Sequence, residues 1–364
     1  MPRFPKTIYV CYSLGGGGAE RLLANIVLQQ RAPRRARVIS LRPGGVFRTV
    51  LEDEGVDVID LGMTRYHHAL TGVFRLAKLI RAQRPDVVHG WDYFSNLLVL
   101  AACFLARSKA RVLWGAFGTD HGPRKLKLRF RAVVRLSALF SRHVDGVAYN
   151  GAEVRDYHHA IGFRERRPLV ISNSIDAEVF SHDAEQRASL REELGVSEDD
   201  IVVAVVARVD AQKDWPTVCA AVRGLPGVVT VALGEGTKSL PPQAGLVTLG
   251  WRDDVVSVLS AADIFLLASA FGEGTSLALG EAMLCGLPCI VTDVAGNGPL
   301  VGDAGIVVKP RDAAAIREAI IALANDPERR RLLGEVARER AAIATYRDGG
   351  VHHLRAVEMA EAAS

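Results

Sequence analysis

Thirteen short apolar runs recur along the 364 residues, each bounded by turn-forming residues and separated from the next mostly by amphipathic stretches. A chain built this way can bury its strands on both faces only by winding helices over a parallel sheet. Strands are expected at 7–13, 36–41, 56–61, 86–89, 111–114, 144–149 and 169–171, and then at 201–207, 228–233, 246–249, 263–268, 288–292 and 305–308. A polar segment around 181–185 separates the two series. The chain is also longer than one core usually grows, so two doubly wound domains in series are expected. A ligand common to both would lie in the cleft between them.

Composition narrows the class. Apolar residues make up 49% and aromatic residues 6%, ordinary for a soluble α/β protein. The amino-terminal Met1-Pro-Arg-Phe-Pro-Lys6 has no signal-peptide shape, and the longest uncharged apolar run, 97–106, is far short of the roughly 20 residues a membrane span needs. A soluble, cytoplasmic chain is expected. Five cysteines at 11, 103, 219, 285 and 289 match neither a disulfide framework nor a zinc spacing. The net charge of +4 conceals an imbalance: residues 1–172 hold 28 Lys and Arg against 13 Asp and Glu, and residues 173–364 hold 17 against 28. The first half therefore suits an anionic partner. The segment 124–142 mixes Arg and Lys with Leu and Phe at mostly helical spacing, which predicts contact with an anionic membrane surface. A core-facing helix with a solvated basic side is the plainer alternative.

The motif richest in chemistry is Ala270-Phe-Gly-Glu-Gly-Thr-Ser-Leu-Ala-Leu-Gly-Glu281, directly after an apolar strand. Thr275 or Ser276 reads as a helix N-cap, and Gly286 with Pro288 as the stop. Glu273 then sits on the strand-to-helix loop and Glu281 inside the helix. Loops at the carboxyl ends of parallel strands line the ligand crevice, and free N–H groups at 274–276 favour phosphate. A hydroxyl-rich, phosphate-bearing ligand fits. Arg208 and Lys213 lie five positions apart on another such loop, where a planar fork and a point charge could bridge a diphosphate. The bland reading is a solvated loop pairing with Asp210 and Asp214.

Gly15-Gly-Gly-Gly-Ala-Glu-Arg21 allows close backbone approach and opens a helix, and Gly234-Glu-Gly236 follows another strand. His89 ends its strand and could meet a reacting group, or serve structure alone. Asp120 and His121 are acceptor candidates against a plain surface-loop reading. The doublets His67-His68, His158-His159 and His352-His353 lack metal partners at useful spacings and read as surface or packing residues.

Taken together, Arg208 with Lys213, Glu273 with Glu281, Gly17-Gly-Ala-Glu-Arg21 and Asn173-Ser-Ile-Asp176 resemble the retaining glycosyltransferases of family 4, over nearly the whole chain. Trp114-Gly-Ala-Phe-Gly-Thr-Asp120 and Val301-Gly-Asp-Ala-Gly305 are similar to a branch acting in exopolysaccharide and surface-glycan assembly. The resemblance implies the GT-B fold, two doubly wound Rossmann-like domains facing a central cleft. Residues 1–172 would be the acceptor domain and 173–344 the donor domain, with 345–364 a helix packing back on the first. It implies transfer of a hexosyl group from a UDP- or GDP-linked sugar to a glycan or lipid-linked hydroxyl, with no cofactor, no metal and no nucleic-acid partner. By the same carry-over Glu273 meets the donor sugar and Glu281 the ribose. Arg208 and Lys213 bind the diphosphate, with Gly17, Gly18, Gly234, Gly274, Thr275 and Ser276 around it. His89 approaches the transferred sugar, and Asp120, His121 and Asn173 face the acceptor. Ser174 stands where the family usually has Gly, and Thr275-Ser276 replaces Phe-Gly or Phe-Pro beside the sugar pocket, so the donor stays open.

Other activities remain compatible with these residues. A sugar-nucleotide epimerase or phosphorylase shares the fold. A nicotinamide-dependent oxidoreductase would use the glycine loop but leave the cations and paired glutamates idle. A nonenzymatic nucleotide-sensing or nucleic-acid-binding module is the third class.

Overall fold

The computed structural model describes residues 5–29, 36–64, 68–119, 128–171 and 175–344, which fall into two compact units. The first holds the described chain up to Gly118 and again from 128 to 171; the second holds Thr119 and the described chain from Ile175 on. The acceptor candidates Asp120, His121 and Asn173, the basic residues 124–127, the doublet 352–353 and the expected helix 345–364 lie outside the described residues.

The first unit runs β1 (Thr7–Cys11), α1 (Gly18–Leu28), β2 (Arg37–Ser40), α2 (Val46–Asp53), β3 (Asp57–Asp60), α3 (Ala69–Gln83), β4 (Val87–Gly90), α4 (Tyr93–Ala106), β5 (Arg111–Gly115), α5 (Leu128–Phe140), β6 (Gly146–Tyr149), α6 (Ala152–Ala160) and β7 (Pro168–Val170). Its strands form one parallel sheet in the order β3-β2-β1-β4-β5-β6-β7. Chain direction across the sheet reverses between β1 and β4. Asp92 caps α4 with a full capping box, and its second oxygen accepts the backbone N–H of Tyr12 at 2.7 Å. One carboxylate thus ties the exit of β1 to the start of α4, across the reversal.

The second unit runs α7 (Ala184–Leu194), β8 (Ile201–Val206), α8 (Trp215–Val222), β9 (Val228–Leu233), β10 (Leu246–Gly250), α9 (Val255–Ala261), β11 (Ile264–Leu267), α10 (Leu277–Leu284), β12 (Cys289–Thr292), α11 (Asn297–Val301), β13 (Gly305–Val308), α12 (Ala313–Ala324) and α13 (Pro327–Ala344). The parallel order is β10-β9-β8-β11-β12-β13, with the reversal between β8 and β11. The inner strands, such as Ile-Val-Val-Ala-Val-Val and Ile-Phe-Leu-Leu, are buried almost throughout because helices cover both faces, whereas the edge strands β10 and β13 are partly buried. Arg191, fully enclosed, spends its guanidinium on the carbonyls of Ala261, Ser197 and Asp200 and on Asp263. Asp263 in turn accepts the N–H of Val202 at 2.8 Å, so α7 is locked to the root of β8.

The expected apolar runs all become strands, with ends moved by a residue or two where tight turns take over. The run 97–106 is the body of α4. Among the described residues no helix is long and apolar enough to cross a membrane.

Candidate donor-binding site

Ligands of open α/β sheets bind outside the carboxyl ends of the strands where chain direction reverses. In the second unit that position belongs to the loops leaving β8 and β11. The loop after β8 is shaped by Asp210, whose Oδ1 accepts the N–H groups of Gln212 and Lys213, each at 3.0 Å, while Oδ2 pairs with Arg208 Nε. The carbonyl of Arg208 accepts the indole N–H of the buried Trp215 at 3.0 Å, which fastens the loop to the core. The Arg208 side chain itself is 42% exposed and can turn toward a ligand.

Gly234 makes the next loop possible. Its φ is +142°, and a Cβ there would stand 2.3 Å from the carbonyl oxygen of Ala207. Only glycine lets residues 234–236 lie against 207–209, where Val209 N–H donates to the Glu235 carbonyl at 2.8 Å.

Lys213 reaches across to the loop after β11, and its ammonium is hydrogen-bonded to the Glu273 carboxylate. Ser269, at the end of the strand, donates its hydroxyl to the same carboxylate oxygen. The Ser269 carbonyl accepts Thr292 Oγ1 at 2.6 Å, and Ala270 N–H donates to the Gln212 carbonyl at 2.8 Å. Glu273 is thereby held nearly enclosed between the two loops. The sequence offered Asp214 as a partner for Lys213. The structure uses Asp214 elsewhere, accepting the Thr217 hydroxyl at the start of α8.

Helix α10 begins at Leu277, so Ser276 occupies the N-cap position as expected, but its hydroxyl makes no capping bond. The first N–H groups of the helix are therefore not capped by the Ser276 side chain. Gly274 and Thr275 lie against the loop after β12: a Cβ on Gly296 would meet the Gly274 carbonyl and Thr275 Oγ1, each at 3.4 Å. Glu281 sits inside α10, 1% exposed. Burial and the Glu281 carboxylate push the Cys285 thiol up to about 12. The helix ends in a Schellman motif, with Gly286 N–H on the Met283 carbonyl and Leu287 N–H on Ala282, and Gly286 at φ +76°.

In the first unit the reversal lies between β1 and β4, beside the glycine loop. None of Gly15 to Gly18 has positive φ, and a Cβ on Gly15 would meet only Ser13 Oγ, at 3.8 Å. Backbone conformation therefore does not require glycine there, and Gly17 caps α1 in an extended conformation.

His89 needs a correction. Strand β4 continues to Gly90, and His89 is fully buried in the sheet between the rings of Tyr9 and Trp91, at 5.6 and 5.0 Å. Burial lowers its pKa to about 3, so the imidazole is neutral at physiological pH. The structure does not present it to a solute. Trp91, its neighbour, anchors the helix after the glycine loop instead, donating its indole N–H to the Ala19 carbonyl at 2.7 Å.

Sequence reading missed Ser269, Thr292 and Trp91. Ser269 carried a usable signal, a hydroxyl at a strand's carboxyl end four positions before Glu273. The doublet His158-His159 packs: His158 bonds Tyr93 Oη at 2.6 Å, and His159 pairs with Glu165. Among the described residues no cluster of His, Cys, Asp and Glu could hold a metal ion.

Comparison with known proteins agrees with this layout. Residues 16–179 match the family described as "Glycosyltransferase Family 4", and residues 201–326 match "Glycosyl transferases group 1". The chain belongs to the family 4 glycosyltransferases of GT-B fold. It is 31% identical over 43% of its length to the UDP-Gal:α-D-GlcNAc-diphosphoundecaprenol α-1,3-galactosyltransferase of Escherichia coli, a match spanning 45% of that enzyme. So the aligned part takes in about half of that relative's length. Across 86% of the chain it is 24% identical to the N,N'-diacetylbacillosaminyl-diphospho-undecaprenol α-1,3-N-acetylgalactosaminyltransferase of Campylobacter jejuni, covering 89% of that protein. The structure of Anabaena HepE, solved with UDP-glucose, superposes with a TM-score of 0.82 at 20% identity, over 98% of this chain and 99% of HepE. That likeness is one of fold.

Proposed function

We propose that the protein transfers a hexosyl group from a UDP- or GDP-linked sugar to a hydroxyl of a glycan or lipid-linked acceptor, with retention of anomeric configuration. The observation carrying this reading is the placement of Arg208, Lys213, Glu273 and the start of α10, without a side-chain cap, on the two loops that flank the strand reversal of the second unit. In the transfer, the bond from C1 of the sugar to the diphosphate breaks, a bond from C1 to the acceptor oxygen forms, and the acceptor proton passes to the departing diphosphate. Negative charge grows on the departing diphosphate. Arg208, Lys213 and the N–H groups at 274–276 are arranged to meet it, which is preorganised electrostatic stabilisation in place of a metal. Gly234 lets the backbone of the second unit approach the phosphates closely; Gly17 and Gly18 remain donor-side candidates on the first unit.

Binding the donor must also release Lys213 from its full commitment to Glu273. A diphosphate beside the ammonium competes for it and frees the carboxylate to accept sugar hydroxyls. Glu281 takes the ribose hydroxyls. Both curated relatives are named as α-1,3 transferases acting on diphospho-undecaprenol-linked sugars. Those names support a lipid-linked acceptor. Retention of configuration, surface-polysaccharide assembly and work at the inner face of the cell membrane are part of the same proposal. Asp120, His121 and Asn173 remain the acceptor-side candidates.

Thermal shift across a panel of UDP- and GDP-sugars tests the reading, followed by turnover with the stabilising donor and an undecaprenyl-diphosphate sugar. A ligand at 100 times its Kd adds about 2.7 kcal/mol to stability. No shift with any sugar nucleotide would remove the donor reading, and product formed from donor alone would point to an epimerase.

A further inference from the structure

Helices α3, α4 and α5 lie side by side on one face of the first sheet, α4 packed against both neighbours. Their inner faces join the core. Their outer faces carry large apolar side chains exposed to solvent: Leu70 and Phe74 on α3 at 74% and 62%, Phe104 on α4 at 88%, and Leu128 and Leu139 on α5 at 77% and 52%. Single exposed apolar residues need no explanation; a run of them across three adjacent helices does.

The charge on the same layer has one sign. None of the three helices contains an Asp or Glu. Arg75, Lys78 and Arg81 on α3 and Arg129, Arg131 and Arg135 on α5 are exposed, and Arg107 and Lys109 follow α4 directly. The Arg81 guanidinium reaches the Leu105 carbonyl at 2.9 Å, which sets the cations of α3 beside Phe104. The basic excess of residues 1–172 is thus displayed in part on one layer, interleaved with aromatic and aliphatic side chains.

We infer that this three-helix layer is a docking face for an anionic lipid bilayer, with Phe74, Phe104 and Leu128 entering the interface and the surrounding cations resting on lipid phosphates. Parallel helices side by side present a broad surface that can lie flat on a membrane, and apolar insertion with basic attraction is how interfacial helices bind. A second copy of the chain is disfavoured, because a two-fold contact would set this all-positive face against itself. The inference deepens the membrane partner of the proposed function. It relocates the contact from the basic segment 124–142 alone to a face shared by α3 and α4, and does not depend on the donor chemistry.

The test is flotation of the full chain with vesicles of phosphatidylcholine alone or mixed with phosphatidylglycerol, at low and high salt. Wild type should float only with the anionic vesicles, and less at high salt. The pair Phe74→Ser with Phe104→Ser, both at exposed positions, should weaken vesicle binding at either salt while leaving the melting temperature unchanged. Neutralising Lys78 and Lys109 to Gln should weaken it roughly five-fold per charge, the equivalent of about 1 kcal/mol each, and flatten the salt dependence. If only changes at Arg129, Arg131 and Arg135 matter, the membrane partner survives and the three-helix face falls. Equal flotation with both vesicle types, no flotation, concentration-dependent dimerisation lost in Phe104→Ser, or tighter binding to duplex RNA than to vesicles would each overturn the inference.

Discussion

The ammonium of Lys213 is bonded to the carboxylate of Glu273, a residue sixty positions further along the chain, and the pair joins the two loops that leave β8 and β11. Both side chains are largely withdrawn from water, at 15% and 7% exposure. A pair this enclosed is strongly coupled, so removing one member leaves the other buried and uncompensated. Lys213 therefore has a structural duty besides its proposed place at the diphosphate.

Arg208 and Lys213 should separate by stability. Arg208→Ala and Lys213→Ala are each expected to lower kcat by about 10²–10³, the range for losing one preorganised donor at developing charge. Lys213→Ala should in addition lower the unfolding free energy by about 3 kcal/mol through the stranded Glu273, whereas the half-exposed Arg208 should cost little. Steady-state kinetics with chemical denaturation checks both. Near-normal kcat in both folded variants would remove the leaving-group assignment.

The two glutamates should fail on different ligands. Glu281→Ala is expected to weaken both the free nucleoside diphosphate and the full donor, since the ribose is common to both. Glu273→Ala should chiefly weaken the sugar-bearing donor. Calorimetry with the two ligands decides, and equal losses everywhere would cancel the division of roles.

Transfer should persist in excess EDTA if, as proposed, side chains and a helix terminus meet the diphosphate charge. If EDTA abolished activity and Mn²⁺ restored it, the leaving-group chemistry assigned to Arg208 and Lys213 would be wrong.

Stability in acid should report on His89. Burial holds its folded pKa at about 3, below the roughly 6.5 of an unfolded histidine. A depressed folded value means the unfolded chain binds the proton first, so the contribution is present above about 6.5 and is lost as pH falls from there toward 3. His89→Leu should flatten this decline by about 1.4 kcal/mol per pH unit within that window. Denaturation curves at a series of pH values measure it, and an unchanged slope in the variant would mean His89 is hydrated in solution.

Local pattern carried much of this protein. Apolar runs of strand length separated by amphipathic turns specify buried strands and covering helices wherever they occur, and β9 and β13 begin and end where that pattern does. The Glu273 loop, the Ser276 cap position and the Gly286 stop were readable for the same reason: each depends on residues within one or two helical turns. What crosses the chain was not. Strand order places the loops after β8 and β11 together at the reversal and gives Lys213 a partner in Glu273 rather than the adjacent Asp214. His89 looked available because its strand seemed to end there; one further residue of strand, with Tyr9 and Trp91 packed on the imidazole, encloses it. The basic and apolar residues of α3, α4 and α5 are scattered in sequence and become one face only when the helices pack side by side. Periodicity is fixed by neighbours along the backbone, whereas pairing and burial are settled by which surfaces meet once the cores condense, and that selection is made between residues far apart in the chain.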